Sequence, residues 1–575
     1  MTQLAPVRGE AALEGFEDFV ESVRKDWSVP GLAVAIIKDG QVILARGFGR
    51  RDLERDLPAG ADTIFALGSS SKAFTTAALA MLADEGKLDW DAPVRTYLPS
   101  FQLHDQFATE RMTPRDLVTH RSGLPRHDLM WYGSPFSRKE VVDRLRYLQP
   151  NKDFRTVWQY QNLMYLTAGY LVEVISGLTW EEFVKQRIFT PAGMARSSTS
   201  VEVSRLDPDA ALPYKEKDGK LEALAFRNID MVGPAGSINA SVNDVAQWVL
   251  LHLNKGKHGD QRIISEGQIT QMHSPQMVIP DPGKHAEMPH SSYGMGWFVQ
   301  PYRGRNFIHH GGNIDGFSAM VTFMPGENLG VAVLTNLNGC PAGMIISLNV
   351  YDRLLGLDQV DWNGRDKKDW AEIKAAMARS KEKRAAEAKP DTHPSHPLGD
   401  YAGQFSHPGY GIFTVNKDGE TLGAVYNGEH YALSHYHYDV FELTHPLFEI
   451  SFKVIFHTNA QGDIQSVSAP LETEVADITF TRLPASELSD RAVLEAFTGS
   501  YELMGMTLTV SFKSERILQV SLPGEAELEL EPYKGTTFHV KGLTGYSIEF
   551  IRDAAGAVTE AVITQIQGVF TAKRR

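Results

Sequence analysis

Residues Leu32–Gly49 read LAVAIIKDGQVILARGFG. Two apolar, β-branched runs flank the turn residues Lys38-Asp39-Gly40, which predicts a β-hairpin. Just upstream, Phe16, Phe19, Val20, Val23 and Trp27 recur at helical spacing. They predict an amphipathic first helix, stopped by Pro30-Gly31. Far downstream, Phe317–Met324 and Gly330–Thr335 form two more strand-like runs around Pro325-Gly326. Between lie a helical stretch from about Ser69 to Ala83, ending near Gly86, and mixed patterns as far as about Gly356. A hairpin, a long helical middle and returning strands predict one sheet completed by both ends of a domain, with helices packed on it.

The chain has 575 residues, too many for one ordinary domain. Its 42% hydrophobic and 10% aromatic content is enough for a large core and excludes disorder as the main state. Lys and Arg number 57 against 71 Asp and Glu, a net charge of -14. That balance argues against nucleic acid or an anionic membrane surface as the main partner. With Cys340 alone, an intramolecular disulfide and a thiolate metal cluster are excluded. The first residues lack a basic segment followed by an apolar one, and no apolar run approaches the length of a membrane span. The expectation is a soluble, cytoplasmic protein.

Texture divides the chain. An α+β domain is expected over 1–363 and a helical linker over 364–397. Within the linker, Trp370, Ile373 and Met377 share one face as a docking stripe, and KPDTHPSHP acts as a stop. After Pro397 come short alternating segments separated by Gly, Asn and Asp, an all-β pattern. Tyr401-Ala402-Gly403-Gln404-Phe405 opens one block and Phe497-Thr498-Gly499-Ser500-Tyr501 opens a similar one. ITFTRL closes the first and GVFTAK the second. Two antiparallel β-barrel domains are expected, 398–487 and 488–575, with two halves of one larger barrel as the alternative.

Three clusters carry residues suited to chemistry. In Phe65-Ala66-Leu67-Gly68-Ser69-Ser70-Ser71-Lys72, only Ser69 has the lysine three positions on, one helical turn away. A serine hydroxyl is a poor nucleophile without a base beside it, and a lysine serves if burial lowers its pKa. The bland alternative is an N-cap serine and a solvated lysine. Trp158-Gln159-Tyr160-Gln161-Asn162 is the second cluster; alone, it reads as a packing aromatic beside a turn asparagine. The third, Phe307 to Phe317, has an apolar strand end running through His309-His310-Gly311-Gly312-Asn313 as a glycine-rich turn into another strand. The bland alternative there is a plain hairpin with exposed histidines.

Together and in this order, the clusters resemble the serine β-lactamase and penicillin-binding-protein superfamily, in its class C-like branch with D-aminopeptidases, D-alanyl-D-alanine carboxypeptidases and esterases. Tyr160-Gln161-Asn162 matches Tyr-x-Asn, and His310-Gly311-Gly312 matches a His-x-Gly version of Lys-Thr-Gly. Leu117–Leu124, Pro234–Ile238 with Ser241 and Asp244, and Tyr293–Trp297 support the match, which spans roughly residues 10 to 356. The resemblance implies a β-lactamase-like catalytic domain, an antiparallel sheet with packed helices, followed by all-β, lipocalin-like barrels. It implies an acyl-enzyme on Ser69, with Lys72 taking its proton or holding the hydrogen-bond network, and Tyr160 shuttling protons as base in one half-reaction and acid in the other; partial ionisation of its phenol would need Lys72 and His310 close by. Asn162 would bond Lys72 and the substrate amide, and His310 would take the place of the motif lysine. The N–H groups of Ser69 and Asn313, beside Gly312, would form an oxyanion hole. No metal or cofactor is required.

Histidine in place of the motif lysine exchanges a permanent cation for a mostly neutral group. That argues against efficient β-lactamase or carboxypeptidase activity and favours aminopeptidase, amidase or esterase action. His-x-Gly followed by two β-domains resembles the D-aminopeptidase arrangement, which implies hydrolysis of amide bonds in small peptides. A carboxylesterase with weak β-lactamase activity is the alternative, and a catalytically silent scaffold or binding protein a further one. The expected partner is a small molecule or short peptide, with no nucleic acid and no membrane span. The sequence leaves the oligomeric state open, a homo-oligomer included. His430, His435, His437 and Asp439 invite a metal reading, but a structural face is preferred. No Gly-x-Ser-x-Gly elbow or P-loop is present.

Overall fold

The computed structural model describes residues 11–280, 283–444, 451–484, 488 and 490–575. Contacts divide these into two compact units. One comprises the chain up to Glu387 together with Glu472–Ala476; the other comprises Ala388–Leu471 and Asp477–Arg575.

In the first unit, helix α1 (Phe16–Asp26) precedes the hairpin of β1 (Gly31–Lys38) and β2 (Gln41–Asp52), closed at Asp39-Gly40. The short β3 (Leu57–Pro58) follows. The remaining strands come from far along the chain: β4 (Met277–Ile279), β5 (Ser291–Tyr293), β6 (Phe298–Tyr302), β7 (Arg305–Ile314), β8 (Phe317–Met324) and β9 (Leu329–Thr335). The sheet order is β4-β5-β6-β7-β8-β9-β1-β2-β3, and every pairing is antiparallel. The N-terminal hairpin thus docks on the last strand, Leu32 opposite Thr335, and both ends of the domain complete one sheet.

Seven of the eight β1 residues are buried, which explains their unbroken apolar run. On one face Leu32, Val34, Ile36, Val331 and Val333 share a core with Phe16, Val20 and Val23 of α1 and Ile345, Ile346 and Leu348 of a later helix, Ala342–Leu354. On the other face helix Val242–Leu253 lies so close that a Cβ on Gly330 would sit 2.4 Å from Val249. Sheet residues alternate between these two helical layers, the period-2 rule applied to a fully covered strand.

The linker helix runs Trp362–Ala386. Its expected docking stripe is open: Trp370, Ile373 and Met377 are 38%, 43% and 65% exposed, and only Trp370 has a ring partner there, edge-on to Trp27. Among the described residues, no single helix is long and apolar enough to cross a membrane.

The second unit contains two closed, eight-stranded antiparallel barrels, Gly403–Arg482 and Gly499–Arg574, so the single larger barrel is set aside. Their repeat is physical as well as textual. Gly403 and Gly499 both take positive φ, at 146° and 138°. Two residues on, Phe405 pairs with Arg482 and Tyr501 with Arg574 across the closing seam. Each arginine then donates to carbonyls of the segment entering its barrel, Asp400 and Ala402 in one case, Ala496 and Thr498 in the other. Buried Phe405, Phe413, Tyr426, Phe441, Phe456 and Phe480 fill the first barrel. The face expected to carry His435, His437 and Asp439 is broken by a register shift between the two histidines; Asp439 instead accepts from Ser395 and Tyr401. No metal-type cluster occurs among the described residues.

Candidate active site

Ser69 lies in a 3-10 turn, Gly68–Ser71, and not in the α-helix expected from about Ser69 onward; helix α2 starts at Lys72 and runs to Asp84. Every residue of α2 from Lys72 to Leu82 is buried, so this is a core helix without a polar face. The tight turn keeps Ser69 half-buried at its mouth while the lysine points inward, 0% exposed. The three serines separate cleanly. Ser70 Oγ donates to the His310 carbonyl, Ser71 Oγ accepts from the Ile238 N–H, and only Ser69 Oγ meets Lys72 Nζ, at 3.0 Å.

Lys72 Nζ also reaches Asn162 Oδ1 at 2.8 Å and the Ala235 carbonyl at 2.9 Å. Asn162 is the first residue of helix α3 (Asn162–Ser176), whose N-cap Gln161 accepts from the Leu163 N–H. Its amide orientation is forced. Nδ2 donates to Asp128 Oδ1 at 2.9 Å, and a carboxylate only accepts, so Oδ1 faces the lysine. Burial pushes the Lys72 amine well below its ordinary pKa, with the positive charge of Arg126 acting in the same direction.

Tyr160 sits with its ring centroid 4.7 Å from Lys72 Nζ. Burial raises its phenol well above the usual tyrosine value, outweighing the opposite effects of its hydrogen-bond neighbour Ser69 and of Arg126. Burial thus works against the expected partial ionisation, since desolvation exceeds what nearby positive charge returns. His120 brackets the Tyr160 segment. Its carbonyl accepts from the Gln159 N–H at 2.7 Å, its Nδ1 from the Gln161 N–H at 3.0 Å, and its ring lies 4.3 Å from that of Tyr160. Since Nδ1 accepts, the ring proton is on Nε2.

The third cluster is strand and not turn: His309 to Asn313 lie inside β7, and the turn is Asp315-Gly316. The histidines are not exposed either. His309 stacks between Phe298 and Phe307, and His310 is 1% exposed. The His310 Nδ1 donates to the Gly311 carbonyl at 2.6 Å, so its Nε2 accepts from the Tyr293 hydroxyl at 3.0 Å. Burial brings its pKa down to about 3, making it a neutral group whose ring lies 6.4 Å from that of Tyr160. Gly312 presses on the serine turn: a Cβ there would stand 1.8 Å from the Leu67 carbonyl oxygen and 2.8 Å from the Ser69 nitrogen. Gly68, at φ +50, leaves no more room, since its Cβ would come 2.7 Å from the Asn313 nitrogen. These glycines bring the backbones at Ser69 and Asn313 together.

The structure therefore gathers Ser69, Lys72, Tyr160, Asn162, Gly312 and Asn313 around one point, with His310 behind them. Sequence reasoning passed over Asp128 and Arg126, which lie just beyond the Leu117–Leu124 motif, and gave no role to His120 and Tyr293 inside the quoted motifs.

A helix-flanked antiparallel sheet, with a serine and a buried lysine one turn apart beside the glycines of an interior strand, defines the class of penicillin-binding-protein-like serine hydrolases. The Beta-lactamase family model matches residues 16–352, more than half of the chain, and the protein belongs to that family. Residues 387–482 match a domain of unknown function (DUF3471). Unguisins hydrolase ungD' of Aspergillus campestris (strain IBT 28561) is 29% identical over 437 residues, covering 70% of this chain and 78% of that protein. Protein flp of Staphylococcus aureus (strain MRSA252) is 25% identical over 321 residues, 54% of this chain and 60% of its own. Among solved structures, the octameric penicillin-binding protein homologue from Pyrococcus abyssi has a TM-score of 0.54 at 23% identity, covering 82% of this chain and all of that one, a likeness of fold.

Proposed function

We propose that the protein hydrolyses amide bonds in small peptides through an acyl-enzyme on Ser69, in the manner of a D-aminopeptidase. One observation carries the acyl-enzyme part of this reading: the hydrogen bonds of Lys72. A neutral amine has two N–H donors and one lone pair. Asn162 Oδ1, fixed by Asp128, and the Ala235 carbonyl can only accept, and they take both N–H groups. The lone pair is left for the remaining neighbour, the Ser69 hydroxyl at 3.0 Å. The lysine is thus oriented as a general base, and burial, which pushes its pKa well below the ordinary value, favours the unprotonated form.

In acylation, Ser69 Oγ bonds to the scissile carbonyl carbon as its proton passes to Lys72. The oxyanion forms against the N–H groups of Ser69 and Asn313. Tyr160, neutral and beside both, hands a proton to the leaving nitrogen and is reprotonated from Lys72. Water then attacks the ester by the same route in reverse, releasing the acid and the free serine. The relative named for hydrolysing unguisins supports hydrolysis as the reaction class.

The test is a panel of D-aminoacyl anilides, short-chain esters and a chromogenic cephalosporin, with intact-mass detection of the trapped acyl group. Turnover of the anilides, and an adduct absent from Ser69→Ala, are expected. Turnover of esters alone would move the assignment to a carboxylesterase.

A further inference from the structure

Three loops meet at one end of the cleft. Tyr132 follows the short helix Asp128–Trp131, whose first residue holds the Asn162 amide. Asp315 lies in the turn that ends β7, two residues past Asn313. The Tyr132 hydroxyl donates to Asp315 Oδ2, which also receives Arg227 Nε at 3.1 Å. The Arg227 guanidinium carbon lies 4.8 Å from the Tyr132 ring centroid. These contacts make a strap that joins the Asn162 wall of the cleft to the β7 wall. Its footing is stiff. Gly316 takes φ +85°, and a Cβ on it would come 2.1 Å from Pro213, so the turn is pressed against the chain behind it. Phe226 stacks on Phe317 with centroids 6.4 Å apart, which holds the Arg227 loop to the same turn. The strap also borders a crevice of about 20 Å³, lined further by Ala66, Ile229, Gly236 and Ile314, with room for one methyl group or one water. That crevice adjoins the serine turn, since a Cβ on Gly236 would stand 3.7 Å from the Gly68 carbonyl carbon.

The two ends of the cleft therefore differ. Tyr160, which protonates the leaving atom, lies toward His310, with ring centroids 6.4 Å apart. Asn313 is three residues further along β7, and Asp315 two beyond that. At about 3.3 Å per residue, the strap stands roughly 7 Å past the oxyanion position. An extended substrate advances about 3.5 Å per residue, so one acyl residue fills this space and a second runs into the strap. We propose that Tyr132, Asp315 and Arg227 close the acyl end of the cleft and limit the donor to a single residue, or an acyl chain of a few carbons, before the scissile bond. Longer chains then extend on the leaving-group side alone, the selectivity of an enzyme that removes one residue at a time from an amino terminus. This rests on the acyl-enzyme reading and deepens it by naming the length of the acyl half.

The experiment measures kcat/KM for p-nitrophenyl acetate, butyrate, hexanoate and octanoate, corrected for spontaneous hydrolysis, and reads the hexanoate-to-acetate ratio within each enzyme. The leaving group is constant, so the ratio cancels any general loss of rate. The wild type is expected to give a ratio below about one tenth, because a chain that overruns a fixed stop loses at least that much. Tyr132→Ala and Asp315→Ala each cut the strap and are expected to raise the ratio about tenfold. Tyr132→Phe keeps the ring, loses the hydrogen bond and should fall between; it also serves as the test where an alanine variant fails to fold. A wild-type ratio of one or above, or a ratio unchanged in every variant that melts cooperatively, overturns the strap alone. Release of p-nitrophenol from the acetate that is absent in the wild type, or undiminished in Ser69→Ala, overturns the acyl-enzyme reading and the strap with it.

Discussion

Gly312→Ala tests whether the approach of β7 to the serine turn makes the site. The added Cβ would lie 1.8 Å from the Leu67 carbonyl oxygen, whereas ordinary contact starts near 3.4 Å. Strand and turn must therefore part by about 1.6 Å, and both obstructing atoms are backbone, which cannot swing aside. The Ser69 and Asn313 N–H groups are carried by those two segments. A misplacement of about 1 Å costs on the order of 100-fold in rate, so kcat/KM and the rate of fluorophosphonate labelling should fall at least that far. Gly311→Ala is the control in the same strand. Its Cβ would press only on the flexible end of Met320, at 3.1 Å, with the Ala319 carbonyl oxygen at an ordinary 3.6 Å, and should leave labelling within a few-fold. Thermal melts of both variants separate local displacement from unfolding. Equal labelling rates in the two variants would refute the argument that close backbone approach builds the oxyanion site.

Asp128→Asn frees the Asn162 amide to turn over, so kcat should drop roughly 10- to 100-fold with the fold intact, as read by steady-state kinetics and melting. A full-rate Asp128→Asn enzyme would remove the lone-pair argument. His120→Phe keeps a ring against Tyr160 but loses the acceptor for the Gln161 N–H; kcat should fall more than KM changes. His120→Asn, which tolerates the φ of +58° and carries an acceptor, should recover part of the loss. The pH profile of phosphonylation should level off well below the ordinary lysine range, because protonating Lys72 removes the base; a limb rising near pH 10 would contradict a depressed amine. Stability has its own pH dependence. His252, His309 and His310 are buried and held below their unfolded value near 6.5, the latter two at about 3. Their contribution is complete above about pH 6.5 and is lost as pH falls toward 3, at up to about 1.4 kcal/mol per pH unit for each histidine. Urea midpoints that stay flat from pH 7 to 4.5 would show these rings to be solvated.

The hairpin, the returning strands and the doubled barrel were legible because each leaves a periodic trace: β1 as an unbroken apolar run, the barrels as a repeated glycine with an aromatic two residues on. Ser69 and Lys72 were legible for a similar reason, since three positions on a helical turn bring two side chains together whatever surrounds them. The strand assignment of His309–Asn313 was hidden because glycines in sequence signal turns. Here they serve close packing against Leu67 and Ser69, which is a property of the partner. Asp128 and Arg126 were hidden for the same reason. Nothing local marks an aspartate that orients an amide 34 positions away. The desolvation of Tyr160 was not legible because neighbouring charges are visible in a motif while burial is not.

Burial disfavours charge on the amine, the phenol and the imidazoles at the centre of the site alike, and the ion pair of Arg126 and Asp128 stands beside them. Attack on a carbonyl in such a place creates two charges at once, an oxyanion and an ammonium, where the surroundings are too dry for water to reorganise around them. The dipoles that meet these charges must already be in position. For the ammonium they are. Asn162 Oδ1 and the Ala235 carbonyl accept from the neutral amine and continue to accept, more strongly, once it gains the serine proton. Asp128, one hydrogen bond further out, reinforces the polarity of Asn162 without touching the lysine, so the amine gains support in its charged form and no counter-ion that would hold it protonated at rest. A carboxylate in direct contact would have raised the lysine pKa and abolished the base; the intervening amide is what allows an acidic residue to assist the reaction.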